Sequence, residues 1–128
     1  EGGLRAILNF GHTLGHGIEN SSGYGKYLHG EAISMGQVAA AKLSTELAGL
    51  PAASVERITN LFKNTGLPTK LKFTARQRVK LIAAMRLDKK VSDGEIKFVL
   101  AKRIGKVVWG QRVPDKLIQK LLTADGRA

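Results

Sequence analysis

The sequence predicts a mainly α-helical fold with one small antiparallel β-hairpin at about residues 95–110. Apolar residues recur at helical spacing in several segments, and glycine and proline residues separate those segments. One later stretch, EIKFVLAKRIGKVVWG, is instead β-branched and partly alternating, as strands are. A chain of 128 residues with 43% apolar residues suits a single domain, residues 1–128, with one modest core.

The element boundaries follow from these signals. Three glycines in the first helix lower its intrinsic helicity by about 1 kcal/mol each relative to alanine, which suggests that another part of the chain approaches its backbone closely. Thr74 is followed three residues later by Gln77, which matches a capping box at a helix start. The hairpin is predicted to pair Glu95–Ala101 with Lys106–Trp109. Helices are predicted at Leu4 to about Ile18, about His29 to Ala48, Ala52 to Asn64, Thr74 to about Leu87, and after Pro114.

The composition limits the classes of function. The formal charge of +11 favours anionic partners, but aromatic residues make up only 5%, which disfavours a nucleic-acid-binding module. Without cysteine the chain can form neither disulfides nor thiolate metal sites, as is typical of a cytoplasmic protein. No apolar run has the length of a membrane span, so a membrane is not an expected partner. Because aromatic residues are few, a nucleic acid is not an expected partner either. The N-terminus has neither an initiator Met nor a secretory signal, so we expect a piece of a longer protein.

All three histidines fall between Asn9 and Glu31. His12 and His16 are four residues apart, so a helix places both imidazoles on one face. His29 follows a glycine-rich loop that can bring it back beside them, and clustered imidazoles suit a zinc-like ion. The spacing leaves open whether His16 is a ligand or an acid/base group. Glu31 is expected to stabilise a helix start, and Glu19 to face solvent near a helix end.

A polar stripe accompanies the histidines. Arg5, Asn9, His12 and His16 are spaced by four, three and four residues, which predicts one continuous line on the first helix. Arginine suits carboxylate or phosphate groups, so this stripe favours a lined pocket over a solvated surface. The segment Asp88-Lys89-Lys90, by composition alone, is typical of a charged helix end.

Three segments, LRAILNFGHTLGHGIE, YLHGEAISMG and MRLDKKVSDGEIKFVLAKRIG, closely resemble the C-terminal domain of the 3-dehydroquinate synthase family. The resemblance implies a two-domain enzyme with an N-terminal NAD-binding domain and a helical domain that carries the metal, usually zinc. Its substrate is 3-deoxy-D-arabino-heptulosonate 7-phosphate. NAD transiently oxidises one hydroxyl, phosphate is eliminated, the carbonyl is reduced again, and the ring closes to 3-dehydroquinate. The metal polarises the hydroxyl that is oxidised.

The resemblance also implies roles for individual residues. His12 and His29 match metal ligands, and His16 matches a histidine that relays protons. Further positions match substrate-binding residues: Arg5, Asn9 and Lys89, with Lys90 as the adjacent alternative to Lys89.

The third metal ligand of the family, a glutamate, and the NAD site lie upstream of the matched segments. We therefore expect this chain alone to bind metal weakly and to be inactive, with its own N-terminal domain and a second copy as partners in the full-length homodimer. Alternatives are another sugar-phosphate cyclase, a metal-dependent polyol dehydrogenase domain and, less favoured, the basic nucleic-acid-binding module.

Overall fold

A computed structural model describes residues 7–21, 26–88 and 96–124 of the chain. The described residues form five α-helices and one two-stranded antiparallel sheet, which confirms the predicted mainly α fold with a small hairpin. None of the helices in these ranges combines the length and apolar character needed to cross a membrane. In chain order the elements are α1 His12–Ser21, α2 His29–Leu47, α3 Ala52–Asn64, α4 Ala75–Asp88, β1 Lys97–Arg103, β2 Lys106–Arg112 and α5 Asp115–Thr123.

Helix α2 is the central element, because it contacts α1, α3, α5 and β1. Its alanine-rich sequence lets neighbours pack on more than one side, and Ala32, Ala39, Ala40 and Ala41 are fully buried. Helix α4 packs on α1 from another side. The largest side chains of the core come from α1, α2, α4, β1, α5 and the segment before α4: Leu14, Ile18, Met35, Leu71, Leu81, Met85, Leu100, Ile118 and Leu122.

The first helix begins later than predicted. Residues 7–9 form a short 3₁₀ turn, and Gly11 has a positive φ of 83°, so the α-helical path starts only at His12. A left-handed residue interrupts helical hydrogen bonding, and glycine adopts that conformation without steric cost. The predicted continuous stripe is therefore wrong between Asn9 and His12. Its first member, Arg5, lies outside the described residues.

The glycines of α1 let neighbouring elements approach, as predicted. A Cβ atom on Gly15 would lie 2.7 Å from the side chain of Ile33 on α2, and one on Gly17 would lie 2.8 Å from Leu81 on α4. Both distances are too short for real contacts, so the ends of the Ile33 and Leu81 side chains would have to move to admit a larger residue. The absence of a side chain at Gly15 and Gly17 thus leaves room for Ile33 of α2 and Leu81 of α4 to pack against α1.

The hairpin matches its prediction closely. Both strands extend a few residues further than expected, and the turn between them contains Gly105 with a φ of 95°. The predicted start at Glu95 lies outside the described residues. The buried Ser44 hydroxyl on α2 accepts the Ala101 N–H at 2.8 Å and donates to the Ala40 carbonyl at 2.6 Å. This pair of bonds fixes β1 against the central helix.

The predicted capping box at the start of α4 is confirmed. The Thr74 hydroxyl accepts the Gln77 N–H at 3.1 Å, and the Gln77 side chain accepts the Thr74 N–H at 2.8 Å. Helix α5 begins directly after Pro114, also as predicted.

Candidate metal site

The three histidines meet where α1 and α2 adjoin. His12 and His16 occupy the first and second turns of α1, and their ring centroids are 5.0 Å apart. His29 is the first residue of α2, and its ring centroid lies 6.1 Å from that of His12 and 6.0 Å from that of His16. The predicted convergence of the three imidazoles is therefore observed.

Side-chain hydrogen bonds stabilise the first turns of α1 and α2, the two helices that carry the histidines. The Thr13 hydroxyl donates to the Lys97 carbonyl at 2.9 Å, which ties the first turn of α1 to β1. At the start of α2, the Glu31 carboxylate accepts the Leu28 N–H at 2.9 Å. Glu31 thus stabilises the helix start, as expected from its position, and this bond orders the backbone immediately before His29.

Glu19 belongs to the cluster, which corrects the expectation that it only faces solvent. Its Oε1 atom lies 3.0 Å from Nδ1 of His29, and its side chain is only 29% exposed, whereas that of His29 is 60% exposed. The sequence contained a signal for this contact. Glu19 follows His12 by seven residues and His16 by three, so the helix places all three on one face.

The environment favours a neutral imidazole at His12. Burial lowers the pKa of His12 below its usual value of 6.5, and the neighbouring His16 and His29 lower it further, while Glu19 opposes them. Burial disfavours the imidazolium because it removes hydration from the charge. A neutral imidazole has a free lone pair, which is the form that binds a metal ion.

The donor set fits a borderline divalent ion such as zinc. Imidazole nitrogens about 2.0–2.1 Å from a tetrahedral ion place the ring centroids roughly 5 Å apart. The observed separations of 5.0, 6.1 and 6.0 Å are close to this value. In addition, one ligand atom each from His16, Glu19 and His29 lies within 4.8 Å of the other two. His12 is not a member of this group, so its imidazole joins the cluster by ring proximity alone.

The other predicted site residues are less completely placed. Asn9 is exposed and lies in the 3₁₀ turn before α1, three residues ahead of His12. Arg5, Lys89 and the alternative Lys90 lie outside the described residues. The described part of the site is therefore the cluster of imidazoles with Glu19.

Comparison with known proteins identifies relatives over nearly the whole chain. The family model described as 3-dehydroquinate synthase C-terminal matches residues 1–91. A 3-dehydroquinate synthase from Nitrosomonas europaea is 48% identical over 124 residues, covering 97% of this chain and 33% of the relative. One from Bordetella pertussis is 52% identical over 108 residues, covering 84% of this chain and 30% of the relative. The chain thus spans about a third of the length of these relatives.

Solved structures share the fold. A 2-epi-5-epi-valiolone synthase from Streptomyces hygroscopicus subsp. jinggangensis, with NAD⁺ and Zn²⁺ bound, superposes with a TM-score of 0.76 at 23% identity, covering 91% of this chain and 32% of that one. A 2-deoxy-scyllo-inosose synthase with carbaglucose-6-phosphate, NAD⁺ and Co²⁺ gives a TM-score of 0.72 at 23% identity, covering 92% and 33%. At this identity the likeness concerns the fold alone.

Proposed function

Because this chain belongs to the 3-dehydroquinate synthase C-terminal family, we propose that it forms the metal- and substrate-binding part of a 3-dehydroquinate synthase. Such an enzyme of the shikimate pathway converts 3-deoxy-D-arabino-heptulosonate 7-phosphate to 3-dehydroquinate and phosphate, with NAD recycled in each turnover. The observation that carries the proposal is the convergence of His12, His16 and His29, with ring centroids 5.0–6.1 Å apart, on the two helices that contain the family motifs.

His12 and His29 are the proposed metal ligands of this chain. They come from different helices, and the close packing of α1 on α2 brings their rings together. The lowered pKa of His12 supports this role, because it keeps the imidazole in its metal-binding form near neutral pH. A divalent ion there, zinc by our proposal, would polarise the substrate hydroxyl that is oxidised. A glutamate from the part of the enzyme beyond this chain would be the third protein ligand.

His16 is the proposed proton-relay residue. It lies one helical turn beyond His12 on the same face of α1, and its ring is close to both proposed ligands. Imidazole is the side chain best suited to take and return a proton in general acid–base chemistry. Its ring lies close to those of His12 and His29, which supports a role beside a hydroxyl that an ion there would hold.

The substrate has two anionic groups, a phosphate and a carboxylate, and this chain offers cationic and amide groups to bind them. Arg5, Asn9 and Lys89 are the proposed substrate-binding residues, since a guanidinium and an ammonium suit these anions and an amide can donate to either. The exposed position of Asn9, just before the first histidine, supports its part in this role. The formal charge of +11 also favours an anionic substrate.

The proposed partners are the NAD-binding part of the same enzyme and a second copy in a homodimer, in the cytoplasm. Two large apolar side chains are exposed just before the histidine-bearing helices: Leu8 is 74% exposed and Leu28 is 72% exposed. They precede α1 and α2 respectively, and exposed apolar side chains of this size support contact with another domain or copy.

A chimera tests this function. In the chimera, this chain replaces the matching third of the Nitrosomonas europaea relative, with which it shares 48% identity. The assay measures phosphate release from 3-deoxy-D-arabino-heptulosonate 7-phosphate in the presence of NAD. We expect turnover by the chimera and its loss in His16→Gln, with zinc still bound. A folded, zinc-loaded chimera that releases no phosphate would contradict the proposal. Oxidation of a neutral polyol by the same chimera would instead support the polyol dehydrogenase alternative.

A further inference from the structure

We propose that Glu19 is a positioning residue that fixes the tautomer and the orientation of the His29 imidazole. The Glu19 Oε1 atom lies 3.0 Å from Nδ1 of His29, which is a hydrogen-bond distance. This inference rests on the proposed function, in which His29 binds the metal. None of the metal-ligand, proton-relay or substrate-binding roles proposed above belongs to Glu19.

The two side chains differ in their freedom. His29 is 60% exposed and stands at the very start of α2, where an unrestrained imidazole would sample several rotamers. Glu19 is only 29% exposed and comes from the last part of α1, which packs against both α2 and α4. The more buried carboxylate can therefore hold the more exposed ring.

The chemistry of the bond determines which ring nitrogen is free. An ionised carboxylate can only accept hydrogen bonds, so a neutral His29 must carry its proton on Nδ1 in order to donate to Glu19. Nε2 is then left with its lone pair and is the atom available to a metal ion. Histidine ligands commonly donate their other N–H to a carboxylate in this way, which orients the ring and raises its basicity.

Glu19 is better placed for this task than the other nearby carboxylate. Glu31 already accepts the N–H of Leu28 at the start of α2. Direct metal binding by Glu19 is the competing possibility, since its carboxylate belongs to the group of donor atoms within 4.8 Å. The observed 3.0 Å contact joins Oε1 to Nδ1 and favours the hydrogen bond, and the zinc titration below distinguishes it from direct ligation by the other carboxylate oxygen.

The tautomer can be measured directly in this chain without metal. The chain is labelled with ¹⁵N-histidine, kept with a chelator at about two pH units above the ordinary histidine pKa of about 6.5, and its ring ¹⁵N–¹H couplings are recorded by NMR. We expect His29 to carry its proton on Nδ1, and to populate the Nε2–H form in Glu19→Ala. Glu46→Ala is the matched control, because Glu46 is an exposed carboxylate on α2 that pairs with Lys120 instead. In that variant the His29 tautomer should not change.

Zinc titration of the chimera gives the second readout. Loss of an outer carboxylate partner lowers metal affinity by about 10- to 100-fold, so we expect that decrease in Glu19→Ala and none in Glu46→Ala. An Nε2–H tautomer in the unsubstituted chain, or an unchanged tautomer in Glu19→Ala, would overturn the inference. A decrease far larger than 100-fold without a tautomer change would overturn it in favour of direct ligation. If the tautomer changes as expected but zinc binding depends on none of the histidines, the proposed function fails and the hydrogen bond stands.

Discussion

Gly36 of α2 lies so close to Gly11 that a Cβ atom on Gly36 would stand 2.1 Å from the Gly11 carbonyl oxygen. The same atom would be 2.8 Å from the Gly15 backbone nitrogen. The Gly11 carbonyl itself accepts the Gly15 N–H at 3.0 Å and so belongs to the first turn of α1. The contact therefore involves backbone on both sides, and it sets the separation between the helices that carry the three histidines.

Substitution of Gly36 by alanine should strongly destabilise the protein. The added methyl group would overlap backbone atoms, which cannot move without separating α1 from α2. Overpacking of a well-packed interior typically costs about 1–3 kcal/mol, and we expect the upper end of this range because no flexible side chain can give way. Urea unfolding of Gly36→Ala against the unsubstituted chain measures the loss.

Gly30→Ala is the matched control on the same helix. Nothing lies within 4 Å of a Cβ atom at Gly30. Alanine is more favourable than glycine in a helix by about 1 kcal/mol, so this variant should be as stable as the unsubstituted chain or slightly more stable. Equal stability losses in the two variants would show that helix α2 does not need the close approach.

The pH dependence of His12 follows from its lowered pKa. Burial and the two neighbouring imidazoles disfavour the charged form in the folded chain, so His12 should titrate below its unfolded value of 6.5. The unfolded chain then binds more protons between the two pKa values, and the stability of the fold falls as the pH drops through this window. A histidine NMR titration of the metal-free chain gives the midpoint directly.

His12→Gln provides the check on that assignment, since glutamine does not titrate. The drop in unfolding free energy between about pH 7.5 and pH 5 should be smaller in His12→Gln than in the unsubstituted chain. A His12 midpoint at or above 6.5, or an unchanged pH dependence in the variant, would contradict the proposed effect of burial.

Most of the fold could be predicted from the sequence because its signals are local. Pro51 and Gly66 bracket α3, and its predicted range, Ala52 to Asn64, is the observed one. The capping residues Thr74 and Gln77 likewise determine the start of α4. The predicted start of α1 was wrong because the apolar spacing continues through Gly11, which has a positive φ. Gly11 lies in close contact with α2, and apolar spacing does not reveal such a tertiary contact.

The site could be predicted only in part. The clustering of the histidines could be predicted, because His12 and His16 share a helix face and a glycine-rich sequence precedes His29. The contact between Glu19 and His29 was missed, since His29 comes from another helix and only the packing of α1 on α2 brings the two together. Its position on the same face as both α1 histidines was the available signal.

Ser44→Ala should weaken the attachment of the hairpin to α2. The substitution removes the acceptor of the Ala101 N–H, and this buried donor would remain without a partner. An unsatisfied buried group costs about 1–3 kcal/mol, so the urea midpoint should fall accordingly. The exposed neighbour Thr45 makes only a long 3.4 Å bond to the Ala41 carbonyl, and Thr45→Ala should change the stability by less than about 0.5 kcal/mol. Similar effects of the two substitutions would show that the Ser44 bond contributes little.

By our proposal, His12 and His29 are this chain's metal ligands, and His16 beside them is the proton relay. Zinc titration calorimetry of the chimera and of its three single histidine-to-alanine variants tests it most directly. We expect His12→Ala and His29→Ala each to lower the affinity for zinc by at least about 1000-fold, because each removes one of few protein ligands. His16→Ala should retain zinc but release no phosphate. Undiminished zinc binding in both His12→Ala and His29→Ala would contradict the account.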